Sequence, residues 1–118
     1  MNYIFVFLGG GLGCVCRYAV SVALANIQIA NFPLATFVSN VMSCLILVLG
    51  ASLALQTGVE KNIVKMGLLI GFCGGFSTFS TFSYETIELI KNGNHLVAVF
   101  NVLLSLMVCL FLVYKLAK

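Results

Sequence analysis

Residues Gly71 to Glu85, GFCGGFSTFSTFSYE, decide how this chain reads. They crowd hydroxyls and phenylalanines into a stretch that should cross a membrane. Ser77, Thr78, Ser80, Thr81, Ser83 and Tyr84 all carry hydroxyls, with Thr86 just beyond, and Phe76, Phe79 and Phe82 recur at every third position among them. A helix that only had to sit in lipid would not need so many polar groups, because hydrocarbon offers them no partner. The Gly74-Gly75 pair ahead of them weakens a helix at that point. Irregular backbone at membrane depth is tolerated where it is buried in protein or lines a cavity. The segment therefore reads as the lining of a path for a small polar species.

Composition supports a membrane setting. Hydrophobic residues make up 62% of the 118 and charged residues 8%, against about 25% charged in an ordinary soluble domain. The mean hydropathy is +1.17. At about 20 residues per span, this length suits four transmembrane helices joined by short loops, with no room for a soluble domain. The first apolar stretch is expected to be a span and not a leader, since no positive residue precedes it and no convincing cleavage site follows. The net charge of +3 is scattered and does not point to nucleic acid. Cys14, Cys16, Cys44, Cys73 and Cys109 lie inside apolar stretches, and an odd count without a CxxC motif argues against a disulfide framework or a zinc site.

The fold class that follows is an all-α membrane protein, a single channel domain over 1–118. Its spans are expected at about 3–25, 33–55, 63–90 and 96–116, with the third broken near Gly74 to Thr78. Pro33 suits a first helical turn. The loops, Asn26 to Phe32, Gln56 to Asn62 and Lys91 to His95, are short enough to make consecutive helices antiparallel neighbours. Unbroken, the third span would exceed the roughly 20 residues that crossing requires.

Helical spacing gathers the intramembrane polar residues into stripes. Thr36, Asn40 and Ser43 share one face of the second span, and Asn101, Ser105 and Cys109 share one face of the fourth. Single residues of this kind commonly act as glue between helices, each for about 1 kcal/mol. Two stripes facing a polar, broken third span form a pore wall instead. Phe79 and Phe82 offer ring edges, the positive part of the aromatic quadrupole, to a small anion. An opened helix frees carbonyls for a cation, and Gly74 and Ser77 flank the opening. Gly9 and Gly13 have the GxxxG spacing of a close-packing helix. Arg17 is costly if deep and can snorkel, while Glu85 is placed to face a vestibule about one turn beyond Phe82.

With these residues in hand, the chain resembles the Fluc family of small fluoride channels. The segments that carry the likeness are GGFSTFSTFSYE (Gly74 to Glu85), GGGLGCVCRY (Gly9 to Tyr18), ATFVSNVMSC (Ala35 to Cys44) and NVLLS (Asn101 to Ser105). The resemblance implies a dual-topology dimer of antiparallel subunits in the cell membrane, with two fluoride pores and a central structural sodium ion. It implies that Phe79 and Phe82 line the pores, that Asn40 donates to the anion, and that Ser80, Thr81 and Ser105 form a polar track. Gly74 and Ser77 would supply sodium-binding carbonyls, Glu85 would sit at a vestibule, and Arg17 would match the family's first-span arginine. Ala35, Ser43 and Cys44 depart from the family's usual Gly, Gly and Ser, and Cys14 from its usual alanine. Asn101 stands where tyrosine is common.

The function so implied is passive, fluoride-selective export from the cytoplasm. A small proton-coupled multidrug-type transporter is the alternative, but such proteins need a membrane-embedded carboxylate, typically in the first span. The three acids here are Glu60, Glu85 and Glu88. No nucleophile–base pair suggests an enzyme. Lys61, Lys65, Lys115 and Lys118 share the side of both termini, while Lys91 lies opposite, which favours cytoplasmic termini. The partner is therefore a second copy of this chain or a homologous subunit of opposite charge bias.

Overall fold

A backbone in hydrocarbon must satisfy its own N–H and C=O groups, so the apolar runs of this chain wind into helices. The computed structural model describes residues 2–29, 31–57 and 64–116. Six helical elements occupy them: α1 (Asn2–Ala23), α2 (Leu34–Thr57), α3 (Val64–Cys73), α4 (Gly74–Phe76), α5 (Phe79–Lys91) and α6 (His95–Leu116). No strand occurs among the described residues. Three stretches, Tyr3–Ala23, Leu34–Ser52 and His95–Leu116, are long and apolar enough to cross a membrane. The chain is a multi-pass membrane protein. Residues 58–63, which hold Glu60, Lys61, Ile63 and most of the second loop read from the sequence, lie outside the described residues, as does Lys118.

Polarity runs inside out relative to a soluble domain. Among the described residues, Thr36, Ser39, Ser43, Thr86, Asn101 and Ser105 are buried, matching in number the buried apolar residues Val48, Cys73, Phe76, Phe82, Leu89 and Ala98. Large apolar side chains such as Phe7, Leu12, Leu103, Met107 and Leu110 point outward. Lipid tails are as apolar as leucine, so interior packing relies on small residues and hydrogen bonds.

The main partner of α1 is not its sequence neighbour α2 but α3 and α4. Loop length favours α1 beside α2, and the two do touch, but the closest packing of α1 runs along a glycine seam. A methyl group on Gly9 would strike the carbonyl oxygen of Gly67, one on Gly13 that of Phe72, and one on Gly75 that of Gly10. Bare backbones in contact maximise dispersion where no hydrophobic force acts between helices.

α3 is wound in the wide i→i+5 pattern of a π-helix, uncommon over ten residues. It passes directly into α4, and the chain opens only at Ser77 (φ −82, ψ 159) and Thr78 (φ −153, ψ 120). Gly74 and Gly75 remain helical; glycine permits a break without forcing one. The connection to α6 is a Schellman turn: Gly93 takes φ +84, Gly93 N–H bonds the Ile90 carbonyl and Asn94 N–H that of Leu89. Pro33 caps α2 from outside, its carbonyl accepting from Phe37 N–H at 3.1 Å.

Candidate functional site

The opening at Ser77-Thr78 is held by side chains from a neighbouring helix. Asn40 of α2 holds both backbone groups of one residue: its Oδ1 accepts from Thr78 N–H at 2.8 Å and its Nδ2 donates to the Thr78 carbonyl at 3.3 Å. Thr78 in turn caps α5, its Oγ1 accepting from Thr81 N–H at 3.1 Å. In a continuous helix those two N–H groups would bond the carbonyls of Gly74 and Ser77. Diverting them leaves both carbonyls without their helical donors.

The end of α4 is anchored as well. Cys73 O accepts from Ser77 N–H at 2.9 Å, Ser77 Oγ at 2.7 Å and Ser43 Oγ at 3.0 Å. Arg17 Nε donates to the Gly75 carbonyl at 3.2 Å, joining α1 to the last helical residues before the opening. The guanidinium thereby gains a backbone acceptor, which lowers its cost inside an apolar segment.

A cavity of ≈ 220 Å³ lies against this opening, bordered by Asn40, Ser77, Thr78, Phe79, Phe82 and Ser105, with Cys44, Leu106 and Cys109 completing it. Phe79 and Phe82 stand 5.8 Å apart with ring planes tilted by 37°. Their surroundings differ sharply: Phe82 is 8% exposed and Phe79 75%. Asn40 has one amide N–H left beyond its bond to Thr78. Ser80 is exposed, its Oγ 3.3 Å from Thr78 Oγ1, and Thr81 does not border the cavity.

Behind Ser105 runs a closed relay. Ser105 Oγ donates to Asn101 Oδ1 at 3.4 Å, Asn101 Nδ2 to Thr86 Oγ1 at 2.9 Å, and Thr86 Oγ1 to the Phe82 carbonyl at 2.8 Å. Asn101, 1% exposed, thus fixes α6 against α5 rather than bordering the cavity. Two buried hydroxyl residues escaped sequence reasoning. Thr86 lies one turn after Phe82 on the buried face of α5, a spacing that could have found it. Ser39, fully buried with no partner for its Oγ, shares the face of Thr36 and Ser43.

Glu85 stands apart from this cluster. It borders two further cavities, ≈ 370 and ≈ 350 Å³, each also touched by Asn31 and Pro33 at the start of α2. Its Oε1 is buried with no donor. Arg17 borders neither cavity.

The chain is similar to known proteins over nearly its whole length. The profile of the family described as "CrcB-like protein, Camphor Resistance (CrcB)" matches residues 4–115. A protein of Geotalea daltonii named "Fluoride-specific ion channel FluC" is 42% identical over 107 residues, covering 91% of this chain and 86% of the relative. Proteins of the same name from Azobacteroides pseudotrichonymphae and Geobacter sulfurreducens are 39% and 41% identical, each over 86% of this chain and 81% and 82% of their own lengths. A match across nearly the whole chain, including the clamped opening and both polar faces, makes this chain a member of the CrcB-like protein family.

Proposed function

We propose that this chain is the subunit of a fluoride-selective channel in the cell membrane, through which fluoride leaves the cytoplasm passively. The relatives bear that function in their names. The observation that carries the reading is the small cavity in which an asparagine amide, the Ser77, Thr78 and Ser105 hydroxyls and two phenylalanines converge. Fluoride is small and strongly hydrated, so several close donors must replace its water, and a fixed cation there would hold it too tightly to let it leave. Fluoride efflux from liposomes loaded with the purified protein, with chloride as the control anion, tests this. Efflux of neither ion would end the channel reading.

Four spans, the third made of α3, α4 and α5, and an antiparallel pair of chains complete the proposal. Phe79 supports the pair: a ring that borders the ion cavity yet is 75% exposed needs a second chain to close its path. With the native thiols removed and His95→Cys introduced, the homodimer predicts labelling from both sides of the membrane in cells making this chain alone. Labelling from outside only would favour a homologous partner of opposite orientation.

Gly74 and Ser77 carbonyls, freed of helical donors by Asn40 and Thr78, suit a hard cation. Two facing openings would supply four such oxygens, and a sodium ion there would hold the two chains in register. It is structural and not transported.

Phe79→Ile and Phe82→Ile keep bulk and hydrophobicity but remove the positive ring edge. Each should assemble normally while fluoride flux falls roughly tenfold, the equivalent of about 1.4 kcal/mol of lost anion contact. Unchanged flux in both would make the rings mere packing.

A further inference from the structure

Cys44 and Cys109 border the cavity that also holds Asn40, Phe82 and Ser105. Cys44 follows Asn40 by four residues on α2, and Cys109 follows Ser105 by four on α6, so the thiols form the next level of the same two faces. α2 and α6 pack against each other. Both thiols thus border one cavity of ≈ 220 Å³, and neither is in a disulfide.

We propose that Cys44 and Cys109 form a two-coordinate site for a soft monovalent cation, of the Cu(I) or Ag(I) class, inside this cavity. Soft thiolates select such ions, and two thiols converging from opposed helices suit linear coordination. Each metal–sulfur bond replaces an S–H bond, so two protons leave for each ion bound. The product, a dithiolate carrying one net negative charge, would be costly in plain hydrocarbon. Here the second N–H of the Asn40 amide and the Thr78 hydroxyl line the same space and can donate to it, while the Ser77 and Ser105 hydroxyls add polar surface. Donors arranged for one anion thus accommodate another, and the bound complex fills the cavity with charge of the same sign as fluoride.

The test is Ag⁺ binding to the purified, reduced protein, which does not depend on fluoride conduction and so fails separately from the channel reading. The unmodified chain and a Cys14→Ser variant should each bind one Ag⁺ tightly. Cys44→Ser and Cys109→Ser should each weaken binding roughly a hundredfold, because the second ligand acts at high effective concentration only while the first is held. Unchanged affinity in either variant, or no tight site in the unmodified chain, overturns the proposal. Silver-edge X-ray absorption of the unmodified protein asks the question without a substitution. Two sulfur neighbours in a linear arrangement are expected; nitrogen or oxygen neighbours, or three sulfurs, would overturn it.

Discussion

Asn40→Leu should abolish fluoride efflux and destabilise the folded subunit by about 2 to 6 kcal/mol, since two backbone groups lose their partners at roughly 1 to 3 kcal/mol each. Leucine has the same branched outline of four side-chain heavy atoms and leaves no void, so the effect would come chiefly from hydrogen bonding. Thr78 N–H and its carbonyl, both now served by the one amide, would be stranded. The least costly escape is for Thr78 N–H to return to the Gly74 carbonyl as in an ordinary helix. That straightens the opening, shifts Phe79 relative to Phe82, and takes one oxygen away from the proposed cation. The measurement is therefore double: efflux from liposomes, and thermal unfolding in detergent with sodium present or replaced by choline. Wild type should gain stability from sodium and Asn40→Leu should not. A folded variant with normal efflux would show that Asn40 is dispensable.

Gly13→Ala is expected to destabilise the chain strongly. The new methyl group would meet the carbonyl oxygen of Phe72 and lie 2.8 Å from Phe76 N. Both are backbone atoms of a helix, so no side-chain rotation relieves the clash. Overpacking typically costs about 1 to 3 kcal/mol and more where backbones must separate. Moving α1 outward also draws Arg17, one turn further on, from the Gly75 carbonyl. Gly11→Ala supplies the control, because a methyl group there meets nothing within 4 Å. It should be neutral or slightly stabilising, as alanine favours the helix over glycine. Thermal unfolding in detergent and the folded fraction on size exclusion compare the two. Equal behaviour would remove the glycine seam as an explanation of the packing.

The membrane class and the interruption of the third segment were legible because composition and the run from Ser77 to Tyr84 are extreme. The expected interval, Gly74 to Thr78, contains the opening, but its place within that interval was less legible. Glycine propensity drew attention to Gly74 and Gly75, whereas the backbone opens two residues later, where Asn40 and the Thr78 cap offer N–H groups better partners than helix carbonyls do. That competition involves a residue 38 positions away, which local patterns do not encode. The polar stripes on α2 and α6 were visible in helical spacing, but spacing could not tell which members bind outward and which, like Asn101, are consumed in holding helices together. GxxxG marked α1 as a close-packing helix without naming its mate. Loop length suggested α2; the mate is α3 with α4, chosen by glycines on both sides.

The separation along the chain between α1 and its mate also imposes a wait during synthesis. Arg17 and Gly75 are 58 residues apart, which at about 5 to 20 residues per second means roughly 3 to 12 s between the emergence of one and of the other. Through that interval the guanidinium has no Gly75 carbonyl to donate to. Arg17 must meanwhile reach for water at the membrane surface. α1 is therefore committed to its depth in the bilayer twice, first by the interface that hydrates its arginine and later by the backbone that replaces that water.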